Sequence, residues 1–230
     1  MTVTDTTGQQ HSCTFIIHVK GPGLRVELCW DTTGDADIDL HVHRPGTTTP
    51  WFTTDGSTAN PDDCYYLNCR GSDASSSDYP DWGYPDTPLS NCENGPEGYS
   101  WQLYGACKNP RLDIDNISQP GIPENINIDN PRDGDRFRVM VHYYGGSVET
   151  HPMVNIYCGG HLVGTYGAAP DLVEGFTYGA GWNRGLMWRV VDVTTHPLSN
   201  DYYDIDCELE PLRNPVDPNS YWITVDDNSY

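Results

Sequence analysis

Short runs of alternating apolar and polar residues recur along this chain, and a period of two is typical of β-strands that bury one face. The clearest run is D-A-D-I-D-L-H-V-H at residues 35–43. In a strand, its apolar side chains share one face, which we predict to enter a core: Ile38, Leu40 and Val42. The opposite face then carries only polar side chains: Asp37, Asp39, His41 and His43. We expect the two aspartates to repel each other unless a cation lies between them.

Similar runs predict further strands, most of them bounded by Gly, Pro, Asn or Asp. They lie at residues 13–20, 24–30, 37–43, 111–115, 126–129, 136–144, 153–158, 161–166, 186–193, 204–209 and 221–225. Helix signals are almost absent. The pattern therefore predicts an all-β protein, folded as a β-sandwich of jelly-roll or immunoglobulin-like type.

The pattern also predicts the domain organisation. We expect the sandwich at residues 24–212, after an N-terminal strand or linker at 1–23 and before a C-terminal linker and strand at 213–230. Within the sandwich, residues 47–110 show almost no periodicity but contain four cysteines and several tryptophans. We predict an ordered, disulfide-stapled loop insertion there. It either presents a binding surface or packs its tryptophans as a local core, and both interpretations stay open.

A second set of polar side chains follows the same alternation. In L-D-I-D-N at 112–116, the two aspartates share one face, and a turn-rich segment then leads into the alternating run 124–130. Ca²⁺ takes six to eight oxygen ligands, so it needs several such segments to converge. We predict a calcium site with oxygen ligands from Asp37, Asp39, Asp113, Asp115, Glu124, Asn125 and Asn127. A solvated polar face is the alternative for any single run.

The histidines allow a competing metal hypothesis. His41 and His43 would lie about 7 Å apart on one strand face, a geometry that suits Zn²⁺ or Cu²⁺, and His142 in a later strand is a candidate third ligand. A metal-dependent enzyme would follow from this arrangement. However, the chain contains no H-E-x-x-H spacing, no P-loop and no G-x-S-x-G sequence.

The charge of the chain excludes some partners. Its 33 acidic and 12 basic residues give a formal net charge of −21. Such a surface repels nucleic acid and anionic membranes, and no apolar run is long enough to span a bilayer, so we expect neither nucleic-acid binding nor membrane insertion. The 15 tyrosines and 7 tryptophans argue against disorder and leave carbohydrate binding open as a further alternative.

The eight cysteines favour disulfides in an oxidising compartment. We predict that Cys64 pairs with Cys69 and Cys92 with Cys107, and that Cys29 and Cys158 join two sheets; the remaining cysteines are Cys13 and Cys207. The protein is therefore expected to be extracellular or at the cell surface. Residues 1–12 contain no export signal, so we expect a fragment or processed form of a longer chain.

Four motifs in order resemble a module of bacterial secreted and surface proteins. They are W-D-T…D-x-D-L-H at 30–41, L-D-x-D at 112–115, P-E-N-I at 123–126 and V-x-V-x-Y-Y-G-G at 139–146. The resemblance covers roughly residues 24–193, and the long cysteine-bearing insertion departs from it. Related modules often follow repeats of the polycystic-kidney-disease type, and residues 13–23 are similar to the end of such a repeat. The resemblance implies an all-β sandwich with a non-catalytic, accessory or adhesive role and bound calcium.

We therefore expect a calcium-binding extracellular module that acts in binding, adhesion or structural assembly. Its expected partners are neighbouring domains of a larger surface protein or other copies of itself. A Zn- or Cu-dependent enzyme that uses His41 and His43, or a carbohydrate-binding module of a secreted hydrolase, is the alternative.

Overall fold

The computed structural model of the protein describes residues 2–4, 10–12, 22–32, 35–51, 60–70, 77–87, 102–103, 106–117, 122–178, 185–201 and 203–230. Within these ranges, all of the regular secondary structure is β-strand. The strands are β1 Thr2–Thr4, β2 Gln10–Ser12, β3 Leu24–Cys29, β4 Ala36–His43, β5 Asp63–Cys64, β6 Gln102–Leu103, β7 Ala106–Cys107, β8 Arg111–Leu112, β9 Glu124–Ile128, β10 Arg136–Gly146, β11 Met153–Cys158, β12 His161–Tyr166, β13 Leu186–Pro197, β14 Ile205–Pro211 and β15 Trp222–Val225. The prediction of an all-β fold is confirmed.

Two antiparallel sheets form the sandwich. The six-stranded sheet has the order β14-β13-β10-β4-β5, and β15 pairs with a further part of β13. The five-stranded sheet has the order β12-β11-β3-β9-β8. Two small pairs, β1 with β2 and β6 with β7, stand apart from these sheets. The predicted strand at 13–20 lies outside the described residues.

The core lies between the two sheets, and the alternation in sequence determines which side chains enter it. From β4, the buried apolar side chains are Ile38, Leu40 and Val42, as predicted. The five-stranded sheet contributes Val26 and Ile126, and both are fully buried. Each large apolar side chain buried in this way stabilises the fold by about 1.5–3 kcal/mol.

A disulfide joins the two sheets. Cys158 in β11 bonds to Cys207 in β14, so the prediction that Cys29 pairs with Cys158 is wrong. The reason is the register: Cys29 and Cys158 lie in the same sheet, where Cys29 stands opposite Met153, at the other end of β11. The predicted Cys64–Cys69 disulfide is confirmed. Cys107 is disulfide-bonded, while Cys92 and Cys13 lie outside the described residues.

Part of the insertion covers the polar face of the six-stranded sheet. Trp51 is fully buried against Met140 and Met187, and it forms a second, smaller core on that face. Consequently, the face that the sequence pattern assigns to polar side chains is buried as well: Asp39, His41 and His43 are all inaccessible to solvent or nearly so.

The C-terminal segment 213–230 also packs on this sheet. It contributes β15, which pairs with β13, and its backbone receives hydrogen bonds from the fully buried Arg189. Asn228 and Trp51 exchange hydrogen bonds, from Trp51 N to Asn228 O and from Asn228 Nδ2 to Trp51 O. The tail and the insertion thus hold each other in place over the polar face.

Candidate metal centre

The register of β4 and β10 places acidic and imidazole side chains next to each other. Asp39 pairs with His142, and His41 pairs with Met140. Asp39, His41 and His142 therefore lie next to one another on the face of the six-stranded sheet that the insertion covers. Their exposed fractions are 2%, 0% and 6%. Buried polar side chains like these need hydrogen-bond or ionic partners, because burying a charge without such a partner costs several kcal/mol of folding free energy.

Glu124 reaches this group from the other sheet. It lies at the start of β9, on the face of that strand that Ile126 and Ile128 share, and it is fully buried. β5 pairs only with Val42 and His43, so the earlier part of β4 has an edge that β5 does not cover. Glu124 satisfies a backbone donor on that edge: its Oε2 accepts a hydrogen bond of 2.8 Å from the backbone N–H of Leu40.

The second oxygen of Glu124 fixes the loop that follows β8. Its Oε1 accepts a hydrogen bond of 3.0 Å from the backbone N–H of Asn116. This contact places Asp115 close to Asp39 and Glu124, and the Asp115 side chain is 5% exposed. Arg70 from the insertion donates a hydrogen bond of 2.8 Å to Asp115 Oδ2.

Three of the predicted ligands converge as a result. One carboxylate oxygen from each of Asp39, Asp115 and Glu124 lies within 4.8 Å of the other two. Asp39 Oδ2 is buried and accepts no hydrogen bond from the described residues. Asp37 lies two residues before Asp39 on the same face, and its buried Oδ1 also accepts no hydrogen bond from the described residues. The arrangement offers oxygen atoms to a cation from three separate segments.

The electrostatics of the group favour a cation or protons. Burial raises the pKa of Asp37 to about 6, and the charge of Asp115 adds to that shift. Burial also raises the pKa of Asp39, with further contributions from the carboxylates of Glu124, Asp37, Asp115 and Asp63. For Glu124, burial raises the pKa well above its ordinary value, although the hydrogen bond from Leu40 opposes this. These carboxylates cannot all be ionised at neutral pH without a compensating positive charge.

Candidate nitrogen ligands lie beside the oxygen group, which is the cluster of carboxylates from Asp39, Asp115 and Glu124. His142 Nδ1 lies 3.9 Å from Asp39 Oδ2. One ligand atom from each of Asp39, His41 and His142 lies within 4.8 Å of the other two. His41 Nδ1 hydrogen-bonds Asp63 Oδ2 at 2.8 Å, and the ring of His41 stacks on Tyr65 at 4.8 Å between centroids.

The remaining predicted ligands lie elsewhere. Asp113 accepts a hydrogen bond of 2.7 Å from Asn127 Nδ2, and Asn125 accepts one of 2.6 Å from Arg25. The alternation in β9 explains this separation, because Asn125 and Asn127 point to the face opposite that of Glu124. Asp113, Asn125 and Asn127 thus form a polar cluster with Arg25 and Arg111 on the outside of the five-stranded sheet.

His43 is also separate from the group. Its Nε2 contacts the carbonyl oxygen of Thr49 at 3.0 Å, and its ring packs against Trp51 and Tyr230. The pair that the structure brings together is His41 with His142, not His41 with His43. Sequence reasoning missed Asp63 and Arg70, which lie beside Cys64 and Cys69 in a stretch without periodicity.

No protein-family model, curated protein or solved structure matches this chain. The resemblance to a bacterial surface module therefore rests on the sequence motifs alone. None of the described residues forms a helix that is long and apolar enough to cross a membrane.

Proposed function

We propose that this chain is a calcium-binding, non-catalytic extracellular module with a binding, adhesive or structural-assembly role. The observation that carries the proposal is the convergence of Asp39, Asp115 and Glu124, whose oxygens lie within 4.8 Å of one another. Asp39 Oδ2 supports it, since this buried atom accepts no hydrogen bond from the described residues.

Calcium suits this set of donors better than other divalent cations do. Carboxylates are hard ligands, and Ca²⁺ tolerates irregular geometry and a large number of oxygen atoms, whereas Mg²⁺ demands a near-ideal octahedron. Asp37 is a fourth carboxylate close enough to raise the pKa of Asp39. Backbone carbonyls and water would complete the coordination.

A structural role follows from the origin of the ligands. Asp39 belongs to the six-stranded sheet, Glu124 to the five-stranded sheet, and Asp115 to the loop after β8. An ion bound to all three would link the two sheets at one edge, as the Cys158–Cys207 disulfide does elsewhere. The burial of Asp39 and Glu124 leaves little room for a substrate, which favours a non-catalytic role.

An extracellular location is supported by the disulfides, because such bonds persist in oxidising compartments. The adhesive or assembly role is supported by the resemblance to surface modules. A protein whose fold depends on calcium would be stable outside cells, where the ion is abundant, and the partners would be neighbouring domains or other copies of the chain.

The test compares Asp39→Asn with the wild type in chelator and in excess Ca²⁺. We expect Ca²⁺ at about 100 times its dissociation constant to raise the wild-type melting temperature by roughly 5–10 °C. Asparagine removes a buried charge without removing an accepted hydrogen bond at Oδ2. The variant should therefore melt above the wild type in chelator and below it in Ca²⁺. Identical wild-type melting in both conditions would refute the proposal.

A further inference from the structure

We propose a second cation site for a divalent transition metal, formed by Asp39, His41 and His142. One ligand atom from each of these residues lies within 4.8 Å of the other two. The sharing of Asp39 with the calcium site rests on the proposed function above, whereas the two imidazole ligands do not depend on it.

The strand register fixes the three ligands. Asp39 and His142 are directly paired across β4 and β10, with Asp39 Oδ2 and His142 Nδ1 3.9 Å apart. His41 follows Asp39 by two positions on the same face, and its ring centroid lies 5.9 Å from that of His142. Two adjacent, hydrogen-bonded strands hold all three ligands, so the site needs no movement of a loop to assemble.

Asp63 orients the first histidine for metal binding. With neutral imidazole, the 2.8 Å contact between His41 Nδ1 and Asp63 Oδ2 is a hydrogen bond from the ring to the carboxylate. This assigns the proton to Nδ1 and the lone pair to Nε2. A carboxylate that holds the far nitrogen of a histidine in this way is a regular companion of metal-ligating imidazole. Stacking on Tyr65 restrains the ring further.

Asp39 Oδ2 is available as the oxygen ligand of this site. This buried atom accepts no hydrogen bond from the described residues, and it lies 3.9 Å from His142 Nδ1.

The type of ligand atom determines which ion each of the two sites prefers. Imidazole nitrogen is a poor ligand for Ca²⁺ but suits Zn²⁺ and neighbouring transition metals. Two histidines and one carboxylate leave at least one coordination position for water. We assign Zn²⁺ as the metal of this site. Co²⁺ is a suitable probe because it accepts the same ligands and absorbs visible light in a way that reports its coordination.

The experiment is a Co²⁺ titration of the purified protein in the presence of saturating Ca²⁺, followed by visible absorption. We expect one equivalent of Co²⁺ to bind. His142→Gln and His41→Gln should each weaken binding by at least about 100-fold, and Asp63→Asn by about 10- to 100-fold. The matched control is His161→Gln, on the exposed strand β12, which should bind as the wild type does.

Two readouts keep the test decisive. If a histidine variant fails to fold, X-ray absorption spectroscopy of the Zn²⁺-loaded wild type can count its imidazole ligands, and two are expected. Wild-type protein that takes up Ca²⁺ but no Co²⁺ would overturn this inference and leave the calcium proposal standing. Co²⁺ binding that depends on His142, in a protein whose melting ignores Ca²⁺, would support this inference and refute the calcium proposal. Binding that survives both histidine substitutions would also overturn the inference.

Discussion

Glu124 and Leu40 form a hydrogen bond between the two sheets, in which the backbone N–H of Leu40 donates to Glu124 Oε2 at 2.8 Å. The bond places a fully buried carboxylate at the uncovered edge of β4. The same side chain accepts a hydrogen bond from Asn116 and so positions the loop that carries Asp115. Glu124 is therefore both a candidate ligand and the residue that assembles the oxygen group.

Glu124→Gln should destabilise the protein strongly in Ca²⁺. The amide group of glutamine cannot accept both backbone hydrogen bonds, and a ligand charge is lost in the same change. We expect the free energy of unfolding in excess Ca²⁺ to fall by about 3 kcal/mol, as measured by urea denaturation. The matched substitution Glu174→Gln, at an exposed glutamate, should stay within about 0.5 kcal/mol of the wild type. Equal effects of the two substitutions would contradict the assigned role of Glu124.

Asp113 and Asp115 should respond differently to the same substitution. Asp115 lies in the oxygen group, whereas Asp113 bonds to Asn127 on the outside of the five-stranded sheet. We expect Asp115→Asn to weaken Ca²⁺ binding by about tenfold or more, which corresponds to about 1.4 kcal/mol. Asp113→Asn should leave the dissociation constant within about threefold of the wild-type value. Calorimetric titration with Ca²⁺ measures both, and a larger loss in Asp113→Asn would show that the ligands are assigned to the wrong face.

Acid should stabilise the calcium-free protein over a limited pH range. Burial raises the pKa of Asp37 in the folded state to about 6, above its value of about 3.9 in an unfolded chain. The folded state therefore binds more protons between these values, and its stability falls as pH rises from about 4 to about 6. In chelator, the wild type should thus lose stability relative to Asp37→Asn across this range, while in Ca²⁺ the difference should vanish or reverse. The urea midpoints of the two proteins at several pH values measure this difference in stability. If the midpoints of wild type and Asp37→Asn in chelator changed in parallel with pH, the assigned role of Asp37 would be wrong.

The two disulfides should differ in their contribution to stability. Cys158 and Cys207 are 49 residues apart, whereas Cys64 and Cys69 are 5 apart. In the loop-entropy treatment, removal of the first bond costs about 4 kcal/mol and removal of the second about 2 kcal/mol. Urea denaturation of the paired alanine variants, Cys158→Ala with Cys207→Ala and Cys64→Ala with Cys69→Ala, tests the order. A smaller loss for the long-range pair would indicate that the sheets are held together chiefly by other contacts.

The faces of individual strands were predictable from the sequence, but the way in which strands meet was not. Alternation correctly assigned Ile38 and Leu40 to the core, and local spacing identified the Cys64–Cys69 disulfide. It did not show that Asp39 stands opposite His142, because that register depends on residues about 100 positions apart. The burial of the polar face was also hidden, since the covering segment around Trp51 has no periodic pattern.

The split between Asp113 and Asp115 has a similar cause. A strict alternation places both aspartates on one face, but β8 ends at Leu112. Beyond it, the hydrogen bond from the backbone N–H of Asn116 to Glu124 Oε1 sets the path of the chain, and this path brings Asp115 close to Glu124. A period of two holds only while the strand continues. Candidate ligands that lie just beyond a strand therefore cannot be assigned to a face from sequence alone.

The buried guanidinium of Arg189 affects how this protein can be shortened. Its Nε donates to the carbonyl oxygen of Ser229, its Nη1 to Thr224 Oγ1 and its Nη2 to the carbonyl oxygen of Asp227. A recombinant version cut before residue 220 would lose these acceptors together with β15 and Trp222, whose ring lies 4.9 Å from the guanidinium, so Arg189 and the adjoining part of β13 would become exposed to water. Expression trials that trim this segment to improve crystallisation should therefore yield a less stable protein, because the six-stranded sheet loses a strand that covers a charged side chain.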